Sequence, residues 1–374
     1  MDRVKLFSVS SLLLLFTCAT YIPIKVMRPA ELDIPPFKKI AVMDFDLTGS
    51  WHFWFDDTKL TFADIAKKVI MRKMGLDQNT RPDPKNAYPG TEVTTKVIAG
   101  LVQNGHYQVL ERSAIEKIMA EHKLVMSGLV DESQAAQIRK MLGVEAIILG
   151  SGTYSISDGG EWVQREEKIK KQVPGDSGKT VTVEETVTHR YFDAYRLCSM
   201  ETSYRMIDIT TGQIVASQGI KNSRRITSEK ESEEDAYQTL PDWQPAIASL
   251  ADGVASTIVP QLAPYTVYES RKIESGKSPM MKNALQYAKR GMIEDARGMW
   301  EQTSQIQSPK AAKDRIAAMH NLAVYAEVSG DLDKAENLFN DCYRQSGKTQ
   351  YLDERARIQA RKKEVERLKE QTGE

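Results

Sequence analysis

Between residues 91 and 105 (TEVTTKVIAGLVQNG) the apolar positions recur at intervals of three and four. Val93, Val97, Leu101 and Val102 fall on one face at helical spacing, and Asn104-Gly105 stops the run. A short strand is predicted over 107–110. Ser113 then opens a second helix with Glu116 three residues on. This is a capping box: the Ser side chain takes an orphan backbone N–H and the Glu reaches back to the cap. Ile115, Ile118 and Met119 supply its apolar face. Asp131 and Gln134 repeat the box for a third helix with Ala135, Ile138 and Leu142 inward, and Gly143 suits the position just past its end. Residues 144–149 are apolar at nearly every position, as in a strand covered on both faces. The stretch 91–155 therefore reads helix, strand, helix, helix, strand.

The flanks extend this pattern. Residues 39–45 (KIAVMDF) predict a buried first strand. An insertion at about 51–90 holds Trp51, Phe53, Trp54 and Phe55 and a short helix over 61–74. Its aromatic cluster either covers the sheet edge or forms a partner or membrane contact. After 155 the period becomes two. Residues 161–173 and 180–191 flank the turn-forming run 174–178. Over 192–206, Phe192, Ala194, Cys198, Met200, Tyr204 and Met206 share one face, which Arg196 and Thr202 interrupt. A turn at 208–212 leads to a return strand over 213–218. Ala246, Ile247, Leu250, Ala251, Val254, Ala255 and Ile258 then form an amphipathic helix ended by Pro260.

The order of several weak signals resembles the curli-secretion-channel (CsgG-like) family of periplasmic and outer-membrane lipoproteins. The residues that carry the resemblance are 108–112 (QVLER), 115–121 with Ser127-Gly128, 142–150 (LGVEAIILG) and 205–215 (RMIDITTGQIV). It implies an α/β (α+β) fold, a CsgG-like mixed sheet flanked by helices, over 38–264, with a Gly-containing loop at Thr48-Gly49 after a first strand that ends at Phe45. Beyond Pro279, Gly291 precedes Ala296 and Trp300 by the same spacings at which Gly330 precedes Ala335 and Phe339. This is similar to tetratricopeptide repeats, with a small all-α domain over 279–347. The units lie about 39 residues apart, against about 34 in that family. The resemblance implies a protein-binding surface, since stacked helix pairs present a concave groove. Residues 350–374 read as a charged, solvated helix or tail.

At the N-terminus Arg3 and Lys5 precede the apolar run 6–16, too short to span a bilayer and suited to a signal segment over 1–17. Cys18 follows at once, as in a bacterial lipoprotein signal, and is the candidate lipidation site. Phe16 and Thr17 depart from the small residues usual before such a Cys. The alternative is a retained or plainly cleaved signal with an incidental Cys. Residues 18–37, with Pro23, Pro29, Pro35 and Pro36, read as a lipidated extended tether. Ala19 points to the outer membrane, with the inner membrane possible.

The formal net charge of zero over 374 residues leaves no electrostatic footprint for nucleic acid. Cys198 and Cys342, in different predicted domains, read as unpaired core residues. The five His are scattered, and no cofactor fingerprint or metal spacing is present. Asp44-x-Asp46-x-Thr48 after a buried strand resembles the first motif of haloacid-dehalogenase-type phosphatases, with Asp44 as nucleophile and Asp46 as acid/base. The acidic pair that would hold Mg²⁺ after a later strand is missing: Ser151, Gly152 and Thr153 follow the strand ending near 150. No catalytic residue is assigned. A lipid-crossing hairpin over 161–191 would need one apolar face. Charges in WVQREEKIKKQV, and Glu185 among Val181, Val183 and Val187, argue for a soluble protrusion instead. The sequence thus reads as a lipid-anchored periplasmic assembly component that oligomerises or binds protein partners. The alternatives are a curli-type outer-membrane secretion channel and, remotely, a phosphatase.

Overall fold

The computed structural model describes residues 20–54, 88–110, 143–174 and 180–373. The signal segment with Cys18, the helix expected over 61–74, the capping boxes at Ser113 and Asp131, Phe55 and the turn 175–178 lie outside the described residues. The chain divides into a sheet unit, Ala30–Tyr265 with Glu370–Glu374, and a helical unit, Met1–Pro29 with Thr266–Lys369. The architecture is mixed α+β followed by a helical region.

In the sheet unit, strand β2 (Lys39–His52) lies between β3 (Gln108–Leu110) and β4 (Ala146–Pro174), parallel to both. The antiparallel strands β5 (Thr180–Asp208) and β6 (Ile214–Lys230) complete the order β3-β2-β4-β5-β6. Helix α1 (Tyr88–Asn104) buries Val93, Val97 and Leu101 against this sheet. Val102, expected on that face, is exposed, because it follows Leu101 by one residue and so lies about 100° further round the helix from the Val93–Val97–Leu101 stripe. Gly90 lets the helix start close to β2: a Cβ there would lie 2.1 Å from the Phe45 carbonyl oxygen. Thr94 completes the junction. Its Oγ1 accepts the Phe45 N–H (2.9 Å) and donates to the Gly90 carbonyl (2.9 Å), at the register shift between Val42 and Phe45. That shift would otherwise leave a buried N–H without a partner.

β2 is longer than expected. It runs through Thr48-Gly49, where the family resemblance implies a loop, and pairs with β4 as far as His52. The helix closing this unit, α3 (Gln244–Leu262), follows the short α2 (Glu233–Gln238), and all seven residues expected on its inner face are buried. Pro260 lies inside its last turn instead of ending it. A proline there forgoes one backbone bond while the helix continues to the Ala263 N–H, which bonds the Val259 carbonyl.

The helical unit differs most from expectation. Residues 20–28, expected as tether, form strand β1 (Thr20–Arg28), which pairs with β7 (Tyr265–Ile273) in a two-stranded sheet. Ile22, Ile24 and Val26 alternate into the core, each worth about 2 kcal/mol of apolar burial, and Pro23 stands at an outward position. The prolines mask a clean period of two. Helices α4 (Pro279–Lys289), α5 (Ile293–Ser304), α6 (Ala312–Val328) and α7 (Leu332–Ser346) follow as two antiparallel pairs. Gly291 (φ 76°) and Gly330 (φ 84°) take the left-handed turns within them. Ala296, Trp300, Ala335 and Phe339 are fully buried, as their shared spacing suggests. The last helix, α8 (Gln350–Thr372), is not merely solvated. Tyr351 and Ile358 enter the core, and Arg357 pairs with the buried Glu327.

Candidate functional site

β4 and β5 carry the most distinctive feature. Each is 29 residues long, about 95 Å at roughly 3.3 Å per residue. They pair without interruption from Ala146↔Asp208 to Pro174↔Thr180. β6 accompanies β5 only as far as Phe192↔Lys230, so the pairs beyond Phe192 form a two-stranded ribbon. The hairpin foreseen over 161–191 is therefore the continuation of core strands, not a separate element.

A buried ion pair marks the root of this ribbon. Asp158 and Arg196 are directly opposed across β4 and β5. Arg196 donates from Nε to Oδ1 (2.7 Å) and from Nη2 to Oδ2 (3.0 Å) of Asp158, and from Nη1 to the Pro241 carbonyl (2.9 Å). Their side chains are 1% and 2% exposed. The Arg196 guanidinium also stands 5.2 Å from the centre of the Phe53 ring, and the Trp54 N–H donates to Asp158. Arg196, which breaks the apolar alternation, thus faces inward with its neighbours and carries its own counter-ion. Cys198, next inward on the strand, is pushed up to about 11 by burial.

The start of the aromatic insertion packs inward. Phe53 belongs to the main core, and Trp54 stacks on Tyr237 (4.7 Å between ring centres) beside Phe192 and Leu240. Trp51 packs against the core edge. These three rings cover the sheet, as in the first of the two readings of the cluster.

Along the ribbon, one face is polar throughout: Gln164, Glu166, Lys168 and Lys170 oppose Arg190, Thr188, Thr186 and Glu184. The other face is a checkerboard in which Glu167 opposes Val187, Ile169 opposes Glu185 and Lys171 opposes Val183. Arg165 holds Glu229 at the tip of β6 with Nε bonds of 2.8 and 2.9 Å, which lowers the Glu229 carboxyl. Neither face offers lipid an uninterrupted apolar stripe. Among the described residues no helix is long and apolar enough to cross a membrane, which says nothing of strands.

Asp44 and Asp46 are exposed on β2, mid-strand and not at a strand-end loop. Among the described residues no group of three or more His, Cys, Asp or Glu could hold a metal. A cavity of about 460 Å³ in the helical unit is walled by Ile22, Ile24, Ala288, Ile293 and Val328, with Lys289 its one charged neighbour; that lining holds no acid–base pair. Cys198 and Cys342 are free and buried.

Residues 75–232 match the family model described as curli production assembly/transport component CsgG, and 282–369 match one described as a domain of unknown function (DUF6340). This part of the sheet unit is thus similar to that family. The tetratricopeptide resemblance of the helix pairs finds no counterpart in these matches. Similar solved structures include the LpoB C-terminal domain from Salmonella enterica, 10% identical, covering 50% of this chain and 84% of that one (TM-score 0.24). Lipoprotein GNA1162 from Neisseria meningitidis is 10% identical over 59% and 97% (TM-score 0.26). The PelC dodecamer from Paraburkholderia phytofirmans, in space group P6, is 12% identical over 65% and 99% (TM-score 0.24). A search of curated protein sequences returns no match.

Proposed function

We propose that this protein is a lipid-anchored assembly component of the cell envelope. In this reading Cys18 carries the lipid at the outer membrane, and the protein oligomerises and engages protein partners in the periplasm. The observation that carries the reading is the match of 75–232 to a family described as an assembly/transport component. The ribbon is the contact element: its outer pairs are exposed and add nothing to the core, so their retention needs a reason outside the fold. No reacting group is assigned. Asp44 and Asp46 lie mid-strand on β2, whereas the phosphatase motif places its Asp pair at a strand end.

The test is the mass of the detergent-extracted full-length protein by light scattering, with the detergent contribution subtracted. A single species of many protomers supports assembly through self-association. A monomer removes homo-oligomerisation and leaves binding of other proteins, and a dimer limits self-association to a pair.

The second reading is a secretion channel. It is favoured by ribbon length, since about ten residues per strand suffice to cross a bilayer. It is opposed by Arg165, Glu167, Lys171 and Glu185 on the less polar face. Conductance across planar bilayers would establish it.

A further inference from the structure

We propose that the outward face of the two-stranded sheet β1–β7 lies against the headgroups of the anchoring bilayer, taking anionic phospholipid. The inference rests on the lipidation of Cys18.

Sequence distance is the first argument. β1 begins at Thr20, two residues after Cys18. Two residues reach at most about 7 Å, comparable to the roughly 5–7 Å depth of one headgroup layer. With the tether replaced by an ordered strand, the helical unit cannot stand off from a lipid attached there. The start of the strand, at Thr20, must lie at the bilayer surface.

Composition is the second argument. Tyr21, Lys25 and Met27 on β1 and Tyr268 and Lys272 on β7 occupy outward positions, opposite the side that buries Ile22, Ile24, Val26 and Ile273. Tyr268 is 78% exposed, Tyr21 58% and Met27 49%, an unusual concentration of large apolar surface on so small a sheet. Tyrosine suits the interface, with its ring toward hydrocarbon and its hydroxyl in water. No carboxylate stands at an exposed position of either strand. Glu269 turns inward to Arg28 and Arg271. Lys25 and Lys272 enter no ion pair among the described residues, so both charges remain available to an anionic membrane surface. An exposed protein-facing sheet would more often carry both signs.

The test uses the mature, lipidated protein in vesicles of phosphatidylethanolamine and phosphatidylglycerol. A solvatochromic thiol label is placed on Tyr268→Cys or, as control, on the exposed Arg344→Cys of α7; buried Cys198 and Cys342 stay unlabelled. The expected result is blue-shifted emission and quenching by brominated lipid for the Tyr268→Cys protein and neither for the Arg344→Cys protein. Lys25→Glu with Lys272→Glu should reduce that quenching. Equal readings at the two positions, or quenching that ignores the charge reversal, overturn the proposal while leaving the anchor in place. Intact mass separates the premise: a mature protein without acyl mass on Cys18 overturns lipidation and, with it, this apposition.

Discussion

Arg196 and Asp158 face each other across β4 and β5 as a bidentate ion pair withdrawn from solvent, in a stripe otherwise made of Phe192, Ala194, Cys198 and Met200. Breaking such a pair strands one buried charge, which costs more than the pair's net worth. Asp158→Ala should destabilise the sheet unit by about 3–5 kcal/mol in urea titration. Asp158→Leu combined with Arg196→Met should cost far less. A single substitution as mild as the double would show that the pair is solvated.

The helical unit should weaken in acid. Burial alone would raise the Glu327 carboxyl, but hydrogen bonds and charge from Arg271 and Arg357 outweigh it and keep it below the usual range. Glu336 is lowered to about 2 by Lys362, Gln359 and Arg355. A carboxylate depressed in the folded state contributes stability above its unfolded value near 4.5, and loses it as pH falls through the folded value. Melting temperature should therefore be flat near neutrality and decline from below about 4.5 toward 2. Glu327→Gln should lower the neutral plateau and flatten that decline. A steep fall between pH 8 and 6 would point to other groups.

Gly291 and Gly330 each sit at a left-handed turn between paired helices with open space around them. Replacement by Ala should cost about 1–2 kcal/mol at each site through backbone strain alone. Asn should cost less. Denaturant midpoints for the four single variants would check this ordering.

Removing 165–172 and 182–189 together shortens the ribbon by equal, even numbers and keeps the faces in register. The unit should stay folded, with a stability change under about 1 kcal/mol, because an isolated two-stranded ribbon contributes little. The lost Arg165–Glu229 pair is surface-exposed and minor. If the ribbon is the contact element, a species of many protomers expected for the full-length protein in light scattering should be absent from this variant.

Burial pushes the Cys198 thiol up to about 11 and the Cys342 thiol up to about 12. Neither should react with a thiol reagent in the native protein, and both should react in denaturant. Fast native labelling of either would contradict the packing.

Much of the architecture was legible because local periodicity reports burial directly. The inner faces of α1 and α3, the alternation over 192–206 and the glycine–alanine–aromatic spacing of the two helix pairs each follow from side-chain geometry within one element. What misled was any position whose burial depends on a distant partner. Arg196 reads as an interruption until Asp158 and Pro241 are brought to it. β2 reads as ending at Phe45 because the polar run after it shows no apolar alternation, and its pairing to β4 as far as His52 comes from the sheet.

By itself the sequence determined the mixed sheet followed by helices and the turn glycines, since each depends on residues close along the chain. Only the tertiary structure decided that residues 20–28 are a strand, that the hairpin is one continuous ribbon with the core, and that α8 is packed. β1 has β7 as its partner some 240 residues away, and α8 gains its burial from Glu327 and the helices before it. Pairing energy between strands and desolvation of paired charges exist only once distant segments meet, and no local pattern encodes them.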